Sequence, residues 1–135
     1  MNIENRLIKE INKAIKEKEV PIAALIVEDG KILCSAHNKR EKYNDVTAHA
    51  EIICLRKLGK LKKAWRFENC DIYVTVKPCK MCIEAIKCAR IRNTFYYLDV
   101  EKKSNLKSHI IKLEINNEKT LYFRDKLVDF FKDKR

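Results

Sequence analysis

Two short stretches of the 135-residue chain carry the side chains best suited to chemistry, an H-x-E sequence that starts at His49 and a P-C-x-x-C sequence that starts at Pro78. Together they supply one imidazole, two thiols and one carboxylate. Zinc prefers nitrogen and sulfur ligands, and a catalytic zinc ion takes three of them and keeps a fourth position for water. The pattern therefore predicts one zinc ion held by His49, Cys79 and Cys82. Glu51 is left as a nearby general acid and base for proton transfer.

Each stretch has a simpler explanation when it is considered alone. An H-x-E sequence often marks a surface histidine beside an acid. A C-x-x-C sequence after a strand is also the pattern of a thiol–disulfide site, or of one half of a structural zinc site. The pair favours a catalytic zinc site, because each stretch begins a predicted helix and a redox pair would leave His49 and Glu51 without a purpose. The redox alternative predicts a Cys79–Cys82 pair that binds no zinc.

The charge of the chain indicates a polyanionic partner. Lysine and arginine number 30 against 19 aspartate and glutamate residues, which gives a net charge of +11. A general bias toward lysine is the simpler explanation, but such a bias should raise the number of glutamates as well. An excess of this size is typical of proteins that bind a polyanion, and the charge and the predicted site together favour nucleic acid.

Length and composition define the broad class. The 135 residues are predicted to form one domain, residues 1–135, with its own core. No apolar run approaches the ~20 residues that a membrane-spanning helix needs, so no membrane association is expected. The N-terminus is polar and lacks the apolar core of a signal peptide. Cys34, Cys54, Cys70 and Cys88 lie in apolar or periodic segments and are expected to be buried free thiols, which favours a cytoplasmic protein.

The predicted elements place both stretches at helix starts. An Asp29-Gly30 turn predicts an opening hairpin, Gly59 is predicted to end the second helix, and residues 99–107 are expected to form a loop. Helices and strands that alternate after a hairpin predict an α/β fold, a three-layer α/β/α sandwich around a mixed five-stranded sheet. Hydrophobic spacing predicts helices over residues 3–18, 49–58, 79–90 and 118–132, and strands over residues 22–27, 32–36, 70–76, 93–98 and 110–115.

Three further features have a structural and a functional interpretation. Asn38 follows the second strand, and its carboxamide can donate to and accept from a purine edge. His37 is expected to be a surface or strand-end histidine rather than a metal ligand. Residues 60–66 are basic and include Trp65, which either packs on the core within a solvated segment or stacks on single-stranded RNA.

These residues resemble the bacterial tRNA adenosine deaminases of the cytidine deaminase-like superfamily. The paired H-x-E and P-C-x-x-C motifs are those of the zinc nucleobase deaminases as a whole. Asn38, the Thr-Ala-His-Ala-Glu context of His49 and a Phe-Phe pair near the C-terminus favour the tRNA branch. The resemblance covers most of the chain, through Glu19-Val20-Pro21, Asn38, Thr47-Ala48-His49-Ala50-Glu51-Ile52, Tyr73-Val74-Thr75, Pro78-Cys79-x-Met81-Cys82, Arg90-Ile91 and Asp129-Phe130-Phe131.

The resemblance implies that a homodimer hydrolyses adenosine to inosine at the wobble position of a tRNA anticodon, with the anticodon stem-loop as its partner. One zinc ion per subunit would be held by the His-Cys-Cys set, and Glu51 would move protons. The flipped purine would contact Asn38 and a pocket lined by Val20, Ala50 and Pro78. Candidate RNA contacts are Lys77, Phe130, Phe131, Lys132 and Arg135.

The chain departs from this family at two places near the site. Lys77 stands where glutamate usually precedes Pro-Cys, and Tyr97-Leu98-Asp99-Val100 replaces a stretch of small residues before a shorter loop. Because the second region helps to shape the RNA pocket in the family, this departure bears on the substrate and leaves the deaminase core unchanged. A zinc deaminase of a free base or nucleotide, of the guanine or cytosine type, is the alternative. A non-catalytic RNA-binding subunit would keep the fold and zinc but would have no need of Glu51.

Overall fold

A computed structural model describes residues 2–99, 110–113 and 118–133. Within these residues the strands form one five-stranded sheet with the order β2-β1-β3-β4-β5. In this part of the chain no helix is both long and apolar enough to span a bilayer. The elements are α1 (Ile3–Lys16), β1 (Ala23–Glu28), β2 (Lys31–His37), α2 (Arg40–Tyr43), α3 (Ala50–Lys62), β3 (Cys70–Val76), α4 (Lys80–Cys88), β4 (Asn93–Leu98), β5 (Ile110–Lys112) and α5 (Glu118–Asp133).

The sheet is mixed, as predicted. Strands β1 and β2 form the antiparallel hairpin, and its turn residues Asp29 and Gly30 have φ angles of 50° and 75°. A turn with two positive φ angles matches the right-handed twist of the flanking strands. Strand β1 is also antiparallel to β3, whereas β3, β4 and β5 run parallel to one another. Helix α4 joins the parallel strands β3 and β4. The candidate ligands Cys79 and Cys82 lie at the N-terminal end of this helix.

Helices cover both faces of the sheet, which confirms the three-layer prediction. Side chains of β1 divide between the faces, because successive residues of a strand point in opposite directions. Ala24 and Ile26 pack in a cluster with residues of α3 and α4. Leu25 and Val27 pack in a second cluster with residues of α1 and α5. Strand β1 is therefore buried on both sides, which explains why its sequence is a nearly continuous apolar run.

Helix α3 continues past Gly59, where it was predicted to end. Lys63 adopts the left-handed conformation with φ of 52°, and its N–H donates to the Gly59 carbonyl oxygen. A left-handed residue that returns a hydrogen bond to the last turn is a common helix ending, and here lysine rather than glycine takes that position. A Cβ at Gly59 would lie 3.3 Å from the Ala64 carbonyl oxygen, so glycine permits the close approach of the chain after the helix.

The segment between β2 and the H-x-E stretch contains the short helix α2, which hydrophobic spacing does not predict. Glu19 explains it, because this buried carboxylate accepts from the backbone N–H groups of Glu41 and Lys42 at 3.1 and 2.7 Å. First-turn N–H groups have no partner within their own helix, and a carboxylate there stabilises the turn.

The predicted burial of Cys88 was wrong, because this thiol is exposed although the other three cysteines of its group are buried. Trp65 is 64% exposed, so of its two interpretations the one in which it packs on the core does not hold. In helix α5, Leu121 and Val128 are exposed. Phe123 instead anchors the helix at 1% exposure, in edge contact with the ring of a β4 tyrosine.

Candidate metal centre

The H-x-E stretch enters helix α3 through a tight turn. Asp45 Oδ1 accepts from both the backbone N–H and the hydroxyl of Thr47, at 2.9 and 2.7 Å. His49 then takes an extended conformation, with φ of −75° and ψ of 153°, as the residue before the first helical turn. Glu51 follows in that first turn and is buried. As predicted, the candidate ligand and the candidate acid both lie at the helix N-terminus.

The P-C-x-x-C stretch builds the same arrangement at helix α4. Cys79 is extended, with φ of −71° and ψ of 171°, and the helix begins directly after it. Cys82 lies in the first turn, three residues later, and is buried. The two helices therefore direct their N-terminal ends at one point, and the partial positive charge of each end favours thiolates and carboxylates there.

The three candidate ligand atoms fit a tetrahedral zinc ion. His49 Nδ1 lies 3.7 Å from Cys79 Sγ and 3.5 Å from Cys82 Sγ. Zinc–nitrogen and zinc–sulfur bonds of about 2.05 and 2.3 Å at the tetrahedral angle require a nitrogen–sulfur separation of about 3.6 Å. All three ligand atoms lie within 4.8 Å of one another, and among the described residues they are the one group of histidine, cysteine and acidic side chains with such spacing. The donor set and its spacing thus suit zinc.

Burial sets the protonation behaviour of the site. Burial raises the pKa of Glu51 to about 7, although a hydrogen bond with Cys82 opposes the shift. Burial and the negative charge of Glu51 also raise the pKa of the Cys82 thiol. The pKa of His49 is lowered by burial and by the charge of Arg40, which favours the neutral imidazole that binds metals. A carboxyl group with a pKa near neutrality suits proton transfer in both directions.

Asn38 contacts the first turn of α3. Its side chain is 4% exposed, and Oδ1 accepts from the backbone N–H of Ala50 at 2.8 Å. This N–H is one of the first-turn donors that a helix leaves without an internal partner. The predicted substrate residue therefore lies directly beside the candidate metal site, and it also stabilises the helix that carries Glu51.

The other predicted pocket residues divide between two places. Ala50 and Pro78 are buried beside the candidate ligands at the starts of α3 and α4. Val20 instead lines an apolar groove of about 500 Å³ together with residues of α5. This groove includes Val76, two residues before Pro78, so it reaches the strand end that leads into the metal site. The groove is lined by Val20, Ile22, Val76, Leu127, Val128, Phe131 and Lys132.

The predicted RNA contacts lie mostly along α5. Phe130 and Phe131 form an edge-to-face pair with ring centroids 5.4 Å apart, and Lys132 is exposed on the same helix. Lys77 is half-buried, with its Nζ atom 5.7 Å from the centroid of the Tyr96 ring. Strand β4 thus accommodates the positive charge that replaces glutamate. Arg135 and the shorter loop after residue 99 lie outside the described residues.

A buried polar cluster near the site was missed by the sequence analysis. His37 is the last residue of β2, which agrees with the strand-end expectation, but it is 3% exposed and contacts the buried carboxylate of Glu10 in α1. The signal was present in the spacing, because Glu10 stands three residues after Leu7 and four before Ala14, on the buried stripe. A glutamate on an apolar stripe indicates a buried partner.

Comparison with known proteins agrees with this arrangement. The chain matches the MafB19-like deaminase family over residues 2–135. It is 41% identical over 126 residues to the tRNA-specific adenosine deaminase of Buchnera aphidicola subsp. Schizaphis graminum (strain Sg), covering 87% of this chain and 83% of that protein. It is 45% identical over 82 residues to the chloroplastic tRNA(adenine(34)) deaminase of Arabidopsis thaliana, covering 61% of this chain. The matched segment spans only 6% of that plant protein and 57% of the tRNA-specific adenosine deaminase of Agrobacterium fabrum.

Solved structures show the same fold. One comes from a study of A-to-I editing by tRNA:A34 deaminases at the wobble position of transfer RNA; it is 31% identical with a TM-score of 0.71, over 81% of this chain and 95% of that one. Guanine deaminase from Bacillus subtilis is 25% identical with a TM-score of 0.66, over 96% of this chain and 95% of that one. The match over residues 2–135 and the shared fold place this chain in the MafB19-like deaminase family, among cytidine deaminase-like relatives that include tRNA-specific adenosine deaminases.

Proposed function

We propose that the protein deaminates adenosine to inosine at the wobble position of a tRNA anticodon, with one zinc ion per subunit held by His49, Cys79 and Cys82. The convergence of these three ligand atoms beside a buried glutamate carries the proposal. The 41% identity to a bacterial tRNA-specific adenosine deaminase over most of both chains supports the choice of substrate.

In the proposed mechanism, Glu51 is the residue that moves protons. A zinc ion in this site would supply a water whose pKa is lowered toward neutrality. Glu51, with a pKa raised to about 7, would accept the two protons of the attacking water in turn and pass one to a ring nitrogen of the purine and the other to the departing amino group. Overall, a carbon–oxygen bond replaces the carbon–nitrogen bond of the amino group, and ammonia leaves.

The proposed base pocket is formed around Asn38. Its amide oxygen already accepts from Ala50, so the amide NH₂ group is the end that would donate to an acceptor on the purine. Ala50 and Pro78 would border the base. Val20 and Phe131 share the apolar groove beside this pocket, and Lys132 adds a charge suited to a neighbouring phosphate.

The proposal also covers the oligomeric state of the protein and its cellular compartment. We propose one deaminase domain over residues 1–135, acting as a homodimer in the cytoplasm. Val46 and Met81, which are 74% and 39% exposed and close in sequence to the candidate ligands, supply apolar surface that a second subunit would cover. Free thiols throughout the described residues suit a reducing compartment. Sedimentation of the purified protein tests the dimer, and a monomer at micromolar concentration would contradict it.

A deaminase of a free base is the second candidate. The similarity to guanine deaminase from Bacillus subtilis extends over 96% of this chain and favours it. Both candidates need the same ligands and the same glutamate, so the metal site does not separate them. The net charge of +11 favours RNA over a small neutral base.

The deciding experiment is a substrate panel. Zinc-loaded protein is incubated with tRNA transcripts, and in parallel with free adenosine, guanine and cytosine. Inosine at one anticodon position, with no ammonia from the free compounds, is the expected result. Ammonia from a free base with unchanged tRNA would overturn the RNA assignment and keep the zinc chemistry. The Glu51→Gln variant is the control for contaminating deaminases.

A further inference from the structure

A buried charged cluster joins helix α1 to the end of strand β2, and the proposed mechanism does not use it. The ring of His37, which is 3% exposed, lies between the carboxylate of Glu10 in α1 and that of Glu17, the residue directly after this helix. Its Nδ1 atom is 2.7 Å from Glu10 Oε1, and its Nε2 atom is 3.2 Å from Glu17 Oε1. A carboxylate oxygen only accepts, so both contacts are hydrogen bonds when each ring nitrogen carries a proton. The ring is then held from both sides.

The cluster continues beyond the ring. Glu10 Oε2 accepts from the Ser35 hydroxyl at 2.6 Å, and Ser35 Oγ accepts from Arg6 Nε at 2.8 Å. Burial alone would raise the pKa of Glu10, but the hydrogen bonds of His37 and Ser35 and the charge of His37 lower it to about 2. Glu10 is therefore ionised at neutral pH. These hydrogen bonds hold the buried side chains of Glu10, Ser35 and His37 in one geometry.

The residue next to this ring is the proposed base-reading residue. His37 points to the α1 face of the sheet, whereas Asn38 turns to the other face and accepts from the N–H of Ala50 at 2.8 Å. The backbone N–H of Asn38 also donates to the Ile22 carbonyl oxygen at 3.2 Å. A continuous path of hydrogen bonds and one peptide link thus runs from α1 through His37 and Asn38 to the helix turn that contains Glu51.

We propose that His37 is a positioning residue for deamination, which fixes Asn38, and through Asn38 the first turn of α3, by bonding the carboxylates of Glu10 and Glu17. The inference rests on the proposed function, in which Asn38 contacts the base. Other charged groups face the cluster: Lys13 acts on Glu10, Lys39 and Lys42 act on Glu17, and Lys57 of α3 donates to the Ser35 carbonyl oxygen at 2.7 Å.

A double-mutant cycle tests the inference. The variants are His37→Phe, Asn38→Ala and the double substitution, each measured with protein in excess over substrate so that slow variants remain measurable. The rate constant and the half-saturating protein concentration are determined separately, together with zinc content and melting temperature. The substrate is whichever compound the unaltered protein deaminates in the panel above, so a failure of the RNA assignment does not affect this test.

We expect His37→Phe to lower the rate constant about 10- to 100-fold with one zinc retained, because small displacements of catalytic groups are costly. In the Asn38→Ala background, His37→Phe should lower the rate constant by less than about threefold, since two substitutions that act through one contact are not additive. An equal loss in both backgrounds, or unchanged kinetics in His37→Phe, would overturn the proposal.

Glu4→Ala is the matched control on the same helix. Glu4 Oε2 accepts from the Tyr97 hydroxyl at 2.9 Å, which ties α1 to the sheet away from Asn38. This variant should lower the melting temperature and leave the rate constant within about twofold, independent of Asn38. If His37→Phe does not fold, Glu17→Ala replaces it, because that side chain is 30% exposed and its removal leaves the Glu10 contact. A several-fold loss confined to the Asn38-containing background supports the proposal, and an equal loss in both overturns it.

Discussion

Glu51 and the candidate ligands have different environments, which gives them separable roles. Glu51 is 3% exposed in the first turn of α3, where burial raises its pKa to about 7. The ligand atoms of His49, Cys79 and Cys82 face one another at the meeting point of two helix N-termini. A substitution at the acid should therefore affect proton transfer alone, and one at a ligand should affect metal and fold together.

Glu51→Gln is expected to keep zinc and the fold while it removes most turnover. Glutamine preserves the volume at this buried position, whereas alanine would leave a cavity. General acid and base catalysis typically contributes about 100- to 10,000-fold, so the rate should fall within that range. Zinc content, melting temperature and ammonia release check the prediction. Turnover near that of the unaltered protein would remove Glu51 from the mechanism.

Cys79→Ala is expected to lose zinc and stability together, because the energy of metal binding contributes to folding. Cys88→Ala is the matched control, since it removes an exposed thiol at the other end of the same helix. Zinc per chain and melting temperature are compared for both variants. A Cys79→Ala protein with full zinc and unchanged stability would contradict the ligand assignment.

At the scale of elements, the site is a junction of two helix starts and the end of β2. Strand β3 passes directly into α4, and the turn at Asp45 delivers the chain into α3. Helix α1 does more than cover the sheet, because Glu10 of this helix and Glu17 directly after it contact His37 at the end of β2. The stability of this contact should depend on pH through Glu10, whose folded-state pKa of about 2 lies below the ordinary value of 4.5.

Glu10 is expected to stabilise the fold above pH 4.5 and to lose this contribution as the pH falls toward 2. The ionised carboxylate binds fewer protons in the folded state, so acid favours unfolding. Urea unfolding of Glu10→Gln and the unaltered protein at several pH values measures the difference. Glu10→Gln should be less stable at pH 7, by at most about 3 kcal/mol. The difference should shrink in acid, and a difference independent of pH would contradict the assignment.

The whole molecule combines a partly buried candidate metal site with a strongly basic composition. The apolar groove along α5 ends in Lys132 and lies beside the strand end that leads into the site. A net charge of +11 raises the local concentration of any nucleic acid near this opening. Binding of RNA should therefore depend on salt, whereas binding of a free base should not.

The affinity for tRNA is expected to fall about 20-fold between about 50 and 200 mM salt if three phosphates of the single-stranded loop are contacted. Lys132→Gln should reduce the slope of log affinity against log salt by about one. Lys9→Gln, an exposed lysine on α1, is the control and should leave the slope unchanged. Filter binding of a labelled transcript at several salt concentrations measures the affinity and the slope for each variant. An affinity independent of salt would favour a free-base substrate.

The sequence by itself determined the chemistry and the architecture. Zinc ligand types at short spacing identify the candidate site, because the H-x-E and C-x-x-C stretches are local and helical geometry brings each pair to one end of its helix. The sheet followed from apolar strands and an Asp-Gly turn, and β3 and β4 have the predicted bounds, Cys70–Val76 and Asn93–Leu98.

The tertiary structure decided how the site is supported. The hydrogen bond between Asn38 and Ala50 joins residues 12 positions apart. The contacts of His37 with Glu10 and Glu17 join residues 27 and 20 positions apart. No local periodicity in the sequence reveals such pairs. Likewise, helix α3 continues past Gly59 and is closed by Lys63, which adopts the left-handed conformation. The packing of the chain after the helix, rather than the preference of the residue, determines where this helix ends. Local patterns define elements, but burial and partner choice depend on contacts that exist only once those elements have packed.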